Sequence, residues 1–443
     1  MKSRSSVFWI KVTVLIFVVS LFSQQSPGFS GVMISNNSAR SLSNTSHVVL
    51  VRDAEKTVLT IASDYKGDPS EFAFVIPVPM NVVREQINVT ENNVVDRLIQ
   101  FTSPRFTENT DADPCAPAKS EAKAFPEVGS LISSPDTYTV GDYEISTLSP
   151  DESTNITAWL KAKKYRVSAA AEKTLQSYVA DGFKFFVARV KLNNFSKTNY
   201  SRLRPIQVAY NSSRFSLPIR LGTLNTPGTK AGTQDLVLMT ITKNGRVESS
   251  NYRLTNSATS IKLPLFTKSE IKNTYDSILN EQLKKTDRAV LLEHAWELGW
   301  CDPCVGEPLT KQELKKLGVF WIDEVAPVEK VGWPGVKGAI HGFVTRLRMR
   351  ISADKIHDDL SLQETTSREN FQTRFMFQKE FNSPMSCAAA DSYKAGVQSR
   401  LESDARQLAL LTNWPITEIR AKMNLSDASA TEDNNWWKDL WKK

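Results

Sequence analysis

Only four cysteines and four histidines occur in these 443 residues. The histidines are His47, His294, His341 and His357, and so few weigh against a His-rich metal centre or a His-based triad. There is no Gly-rich phosphate loop, no His-Glu-x-x-His and no Gly-x-Ser-x-Gly. The sequence therefore gives no sign of P-loop, zincin or α/β-hydrolase chemistry. No run of five Lys or Arg is present. The formal charge is +7, and removing Lys2, Arg4 and Lys11, the three cations of the acid-free first thirty residues, leaves +4. That is too weak a bias to call for a nucleic-acid partner. Beyond the N-terminal segment no stretch of 18 apolar residues appears, so no later helix is expected to cross a membrane.

What is present is an ordinary globular composition, 41% hydrophobic and 23% charged. The length calls for two domains, or one large one with additions. The first thirty residues follow signal-peptide grammar. Lys2 and Arg4 form a positive start, Val12–Phe22 is a short apolar run, and small residues at Gly28 and Ser30 follow a polar stretch. Cleavage is expected near Ser30, with an N-terminal membrane anchor as the alternative. No Cys stands nearby for lipid attachment. Export to the periplasm, cell envelope or exterior would place the chain where disulfides persist.

The body alternates strand and turn signals. β-Branched runs at His47–Arg52 and Lys56–Ile61 flank a hairpin-length Asp53-Ala54-Glu55. Phe72–Pro79 reads as a strand whose two prolines need a sheet edge or an exit. Val94, Val95, Leu98 and Ile99 have helical spacing behind a candidate cap, Thr90. Residues 103–138, rich in Ser, Pro, Asp and Ala, read as a long loop that holds Cys115. Capping boxes are expected at Ser149/Glu152, Thr267/Glu270 and Thr310/Glu313. Further strands are expected over 138–146, 183–190, 206–210, 215–221, 236–241 and 342–351, with one starting at Ala289–Leu292. Val397, Leu401, Leu408 and Leu411 mark a late amphipathic helix, and Trp414-Pro415 opens another. The fold class is α+β, mainly antiparallel sheet, with several amphipathic helices and a helical C-terminal extension.

Several stretches together resemble one bacterial family, the DUF2330 proteins. They are Val48–Arg52, Phe72–Pro79, Asp113-Pro114-Cys115, Val140–Ile145, Phe183–Ala188, Phe215–Gly222, Gly232–Leu236, Cys301-Asp302-Pro303-Cys304 and Gly342–Leu347. They fall in the family's order over about 45–390. The family's usual Cys near the mature N-terminus is absent here, where Gly31-Val32-Met33 stands. The resemblance implies an exported bacterial β-rich protein and no particular activity. It divides the chain into a signal peptide (1–30), a DUF2330-like domain (31–390, or two subdomains parted near 255–265), a helical extension (391–425) and a polar spacer with a Trp/Lys-rich tail (426–443).

The chemistry that can be weighed lies in the cysteines. Trp300-Cys301-Asp302-Pro303-Cys304 resembles a thioredoxin-type dithiol, with Cys301 as nucleophile and Cys304 as resolving thiol. A low thiol pKa needs a helix N-terminus at the first Cys. A helix begun there would meet Pro308 in its interior, at about 3 kcal/mol. Asp302 would raise the neighbouring thiol pKa by like charge. A zinc site needs four ligands, commonly as two close pairs, and Cys115 and Cys387 stand alone. The structural reading is preferred: either Cys301–Cys304 closes on itself and Cys115 meets Cys387, or each close cysteine holds one distant loop. No catalytic residue, cofactor or metal is expected. The leading function is an exported envelope protein that binds or braces, with a thiol–disulfide oxidoreductase as the alternative. A third class works through Trp436, Trp437 and Trp441, whose setting among lysines suits a membrane interface or an envelope partner.

Overall fold

The computed structural model describes residues 32–35, 45–65, 72–116, 127–130, 142–191, 201–225, 233–286, 288–298, 308–323, 340–352 and 354–425. Eight strands run through its largest sheet: β1 (Thr45–Asp53), β2 (Lys56–Tyr65), β3 (Ile87–Val89), β4 (Ile206–Asn211), β5 (Thr233–Thr242), β6 (Arg253–Asn256), β7 (Ala289–Glu297) and β8 (Phe343–Ser352). Their spatial order is β6-β7-β8-β5-β1-β2-β4-β3. Short strands at Ser201–Arg202 and Phe371–Gln372 add to β2 and β7. The β1–β2 hairpin turns at Ala54-Glu55, with Asp53 opposite Lys56 and Ala54 at φ 52°. Pairing is mainly antiparallel; β1 with β5 and β6 with β7 are the parallel pairs of this sheet. The class is α+β, as the sequence indicates.

The run Val48-Val49-Leu50-Val51 is buried throughout because both faces of this sheet are covered. Val48, Leu50, Leu59, Leu238 and Leu347 pack on Phe74, Ile76, Phe186 and Ala188 of a second sheet. That sheet has the order Val32–Ser35, Phe72–Val78, Lys184–Lys191, Asp142–Thr147. Pro77 pairs with Phe185 on one side and lies past Val75, where the described pairing with Val32–Ser35 ends, so its other side is at the sheet edge as a proline requires.

The helices are α1 (Asn92–Thr102), α2 (Pro150–Thr154), α3 (Ile156–Ala162), α4 (Ala169–Ala180), α5 (Ile271–Lys285), α6 (Lys311–Lys316), α7 (Ala390–Thr412) and α8 (Ile416–Lys422). α2 to α4 cover the outer face of the second sheet through Ile156, Leu160, Leu175 and Tyr178. α1 and α6 cover the opposite face of the large sheet, where Val95, Leu98 and Leu314 meet Val49, Val237 and Met239. Gly318, just past α6, has φ +98°, and a Cβ there would come within 2.6 Å of Val58 Cγ1. A third cluster joins α5, α7 and α8 through Tyr275, Ile278, Ala405, Leu408 and Ile419 to Leu291 of β7. α7 ends at Asn413, a left-handed C-cap with φ 58°.

Two capping boxes form as read. Ser149 Oγ accepts from Glu152 N at 3.2 Å while Glu152 Oε2 accepts from Ser149 N at 2.9 Å, and Thr310 and Glu313 do the same at 3.2 and 2.7 Å. The Thr267/Glu270 box does not form: Thr267 donates to Pro264 O at 2.7 Å within a 3-10 turn, and α5 starts at Ile271 without a side-chain cap. Thr90 does not cap α1 either, because Glu91 holds the cap position. The long loop read over 103–138 contains strands Arg105–Thr110 and Glu127–Ser130, the first paired in parallel with Arg374–Lys379. Their polar sequences hide them, since pairing supplies the order. The strand read over 215–221 is only Ser216–Leu217, because Pro218 ends it and Asp359 Oδ1 takes the Ile219 and Arg220 amides at 2.9 and 3.2 Å.

Candidate functional site

β7 carries one residue more than β8 can match. Leu292 lies opposite Leu347 and His294 opposite Arg346, so Glu293 is the extra residue of a β-bulge. Simple alternation would send Glu293 and His294 to opposite faces. The bulge brings both to the α1 side. Glu293 meets Arg346, Arg346 Nη1 donates to Ile99 O and Thr102 Oγ1 at 3.3 and 3.2 Å, and the His294 ring meets Phe101 edge-on at 5.7 Å.

Glu293 is fully buried and fully partnered. Its Oε2 accepts from Arg346 Nε at 2.5 Å. Its Oε1 accepts from Arg348 Nε and from the Tyr275 hydroxyl, each at 2.5 Å. The network then reaches the surface: Arg348 Nη1 lies 3.5 Å from Asp235, which Arg350 grips at 2.8 and 3.2 Å. Arg350 also donates to Asn280 of α5. Arg346, Arg348 and Arg350 alternate along β8, so one face of that strand is a row of guanidiniums.

Burial alone would push the Glu293 carboxyl up. Arg348 and Arg346 outweigh it, with the Tyr275 hydroxyl, and bring its pKa down to about 2. Tyr275 moves well up through burial and the Glu293 charge. Burial disfavours charge on Arg346; on Arg348 it acts the same way but is outweighed by Glu293. His294 is brought down to about 3 by burial, then by Arg105, Arg346 and Arg374. At neutral pH the cluster therefore holds a carboxylate, a phenol and a neutral imidazole. None of these three titrates near neutrality, where general acid–base catalysis works best. Glu293 and Arg346 are also closed to solvent. The arrangement braces β7, β8, α1 and α5.

A second polar knot lies at the far end of α7. Asp111 accepts from Arg400 Nη2 at 2.7 Å, the Tyr393 hydroxyl at 2.6 Å and Gln378 Nε2 at 2.6 Å. Burial would raise its pKa, but these donors, Arg400 first, lower it. Beside it Cys115 and Cys387 form a disulfide across 272 residues, with Cα atoms 5.5 Å apart. Two of the four cysteine candidates are thus brought together. A groove of about 360 Å3, lined by Phe381, Met385, Tyr393, Val397, Gln398 and Leu401, opens alongside. Cys301, Cys304, Trp436, Trp437, Trp441 and the N-terminal segment lie outside the described residues. Among the described residues no cluster of three or more His, Cys, Asp or Glu could hold a metal ion, and no helix is long and apolar enough to cross a membrane.

Residues 25–363 match a family described as an uncharacterized protein conserved in bacteria, DUF2330. The chain belongs to the DUF2330 family. Within this DUF2330 protein the matched region includes Glu293, Arg346, Arg348 and Cys115, while Cys387, α7 and α8 lie beyond it. No curated protein matches the chain. Among solved structures, baculovirus P35 aligns at a TM-score of 0.26 and 10% identity, over 48% of this chain and 67% of that one. At that score the likeness carries no argument.

The sequence reading missed the Glu293 cluster. Its signal was Arg-x-Arg-x-Arg inside an apolar strand together with one acid in Ala289–Ala295. Buried arginines need acids, and Glu293 was the acid at hand.

Proposed function

We propose that this DUF2330 protein is exported to the bacterial envelope and acts there as a binding or structural protein stapled by disulfides. The observation that carries the reading is the Cys115–Cys387 bridge, because such bonds persist only where thiols are not kept reduced. The signal-like first thirty residues support it. So does the Glu293 carboxylate, closed to solvent and held by three donors. The test is mass-spectrometric mapping of protein recovered from envelope fractions, alkylated before and after mild reduction. The expected result is a mature N-terminus near Ser30 and an intact Cys115–Cys387 peptide pair. Recovery from the cytoplasm with all four thiols alkylated would overturn it.

One observation favours a second reading. With Cys115 and Cys387 joined, Cys301 and Cys304 have only each other among the chain's four cysteines. A dithiol two residues apart is the arrangement of thiol–disulfide oxidoreductases. Against it, α6 begins at its own Thr310 cap, well past Cys301, and Pro308 to Thr310 are not helical. The reduction potential separates the two. A value between about −270 and −120 mV marks a catalytic pair, and one below about −300 mV marks a staple.

A further inference from the structure

The carboxylate side of the bulge is saturated, and the imidazole side is not. His294 lies opposite Arg346 on β8 and opposite Gln372 of the added strand. Residues so paired project to one face, with Cβ atoms about 4.5–5.5 Å apart. Arg346, His294 and Gln372 are 0%, 1% and 6% exposed. Arg346 Nη2, Gln372 Nε2 and both imidazole nitrogens have no hydrogen-bond partner among the described residues.

The unpaired atoms are nearly all donors. A guanidinium nitrogen and an amide nitrogen each carry two N–H groups, and a neutral imidazole carries one. The acceptor in this row is the second imidazole nitrogen, since Gln372 Oε1 already takes Arg374 Nε at 3.1 Å. Buried donors left without an acceptor are destabilising, so the fold gains from whatever accepts from them. Five N–H groups against one acceptor nitrogen call chiefly for an acceptor, which suits an anion better than water. The field agrees: Arg105, Arg346 and Arg374 all act on the ring, and the charge of Glu293 is already divided between Arg346 and Arg348. Phe101 and Trp296 flank the imidazole, at 5.7 and 6.2 Å between ring centroids. Rings packed on the imidazole, and three side chains no more than 6% exposed, favour a single ion over phosphate or a carboxylate.

We propose that Arg346, His294 and Gln372 form a buried binding site for a monatomic anion, a halide, held across β8, β7 and the Phe371–Gln372 strand. The ion would lock that short strand onto β7 on the face that α1 covers.

Two measurements on the full mature chain test this. Thermal unfolding is followed in sodium chloride against sodium gluconate at equal ionic strength, and crystals grown in sodium bromide are mapped by anomalous scattering. Chloride is expected to raise Tm saturably, with about a tenfold shift of the unfolding equilibrium at ten times Kd. Bromide is expected between Arg346 Nη2 and Gln372 Nε2. Gln372→Glu supplies its own anion and should keep Tm while losing the chloride response. If that variant does not fold, Gln372→Met, which removes one donor pair, should weaken the response about tenfold. Equal Tm in the two salts, or a bromide map with no peak in this row, overturns the proposal.

Discussion

Glu293→Gln changes one atom and leaves two arginines facing a neutral amide. The carboxylate is 0% exposed, as is Arg346, so solvent cannot take over its role. Breaking a buried pair from one side costs about 3–5 kcal/mol, since the other charge stays buried without compensation. Proton linkage gives an independent figure. The group falls from 4.5 to about 2 on folding, a difference worth about 3 kcal/mol. The sign follows from the depressed value. The unfolded chain binds the proton first as pH drops, so the stabilisation is complete above about pH 4.5 and disappears as pH falls through about 2. Other carboxylates titrate in the same range, so the informative quantity is wild type minus variant. Urea unfolding at pH 7, 5, 4 and 3 should show a gap of about 3 kcal/mol at neutral pH that narrows towards pH 3. A gap below about 1 kcal/mol at pH 7, or one that does not narrow in acid, would refute the account of Glu293 as an ionised brace.

The other expectations are shorter. Replacing Cys115 and Cys387 together by Ala should lower stability by about 2–5 kcal/mol, measured by denaturant unfolding under non-reducing conditions. Under strong reductant the gap from wild type should vanish. Asp111→Ala frees Arg400 and Tyr393 from their shared acceptor, and should cost about 1–3 kcal/mol and speed limited proteolysis near the start of α7. Ser149→Ala removes one arm of an exposed capping box and should cost about 1 kcal/mol in urea unfolding, with no change in the groups around Glu293.

Much of the fold was legible where a local signal agreed with the tertiary outcome. Val48–Val51 reads as strand and is one because both faces are covered. Ser149-Pro150-Asp151-Glu152 reads as a helix start and forms its box. The failures came where partners far away decide the matter. Arg105–Thr110 has no apolar alternation, and it is a strand because Arg374–Lys379 and Glu127–Ser130 lie on its two sides. Thr267 has capping-box spacing, yet Pro264 draws its hydroxyl away. The disulfide was legible as a set of candidates and not as a connectivity, since three pairings of four cysteines share one sequence. The charge cluster left a signal in Arg346, Arg348 and Arg350 and the lone acid of Ala289–Ala295, but the place of His294 beside it was not legible without the bulge. Period-two reading separates Glu293 from His294, and only the extra residue in β7 puts them together.

The bulge and the arginine row also bear on why a charged core is present. A one-residue slip of β7 against β8 would turn the guanidiniums of Arg346 and Arg348 away from Glu293 and leave them buried without an acid. A slip in an all-apolar pair of strands would meet no such barrier. The cluster thus favours one register more than it adds stability, and the two effects can be separated. Glu293→Leu combined with Arg346→Met and Arg348→Met removes the charges at similar volume. If the cluster acts on register, the triple variant should unfold in urea within about 2 kcal/mol of wild type, because replacing a buried ion network by packed apolar groups is often neutral. Its amide protons along β7 should nevertheless exchange faster than in wild type, by sampling slipped pairings that the charges exclude. A triple variant with unchanged protection along β7 would show that β7 keeps its register without them, through the bulge and the Leu292–Leu347 and Val290–Met349 pairs alone.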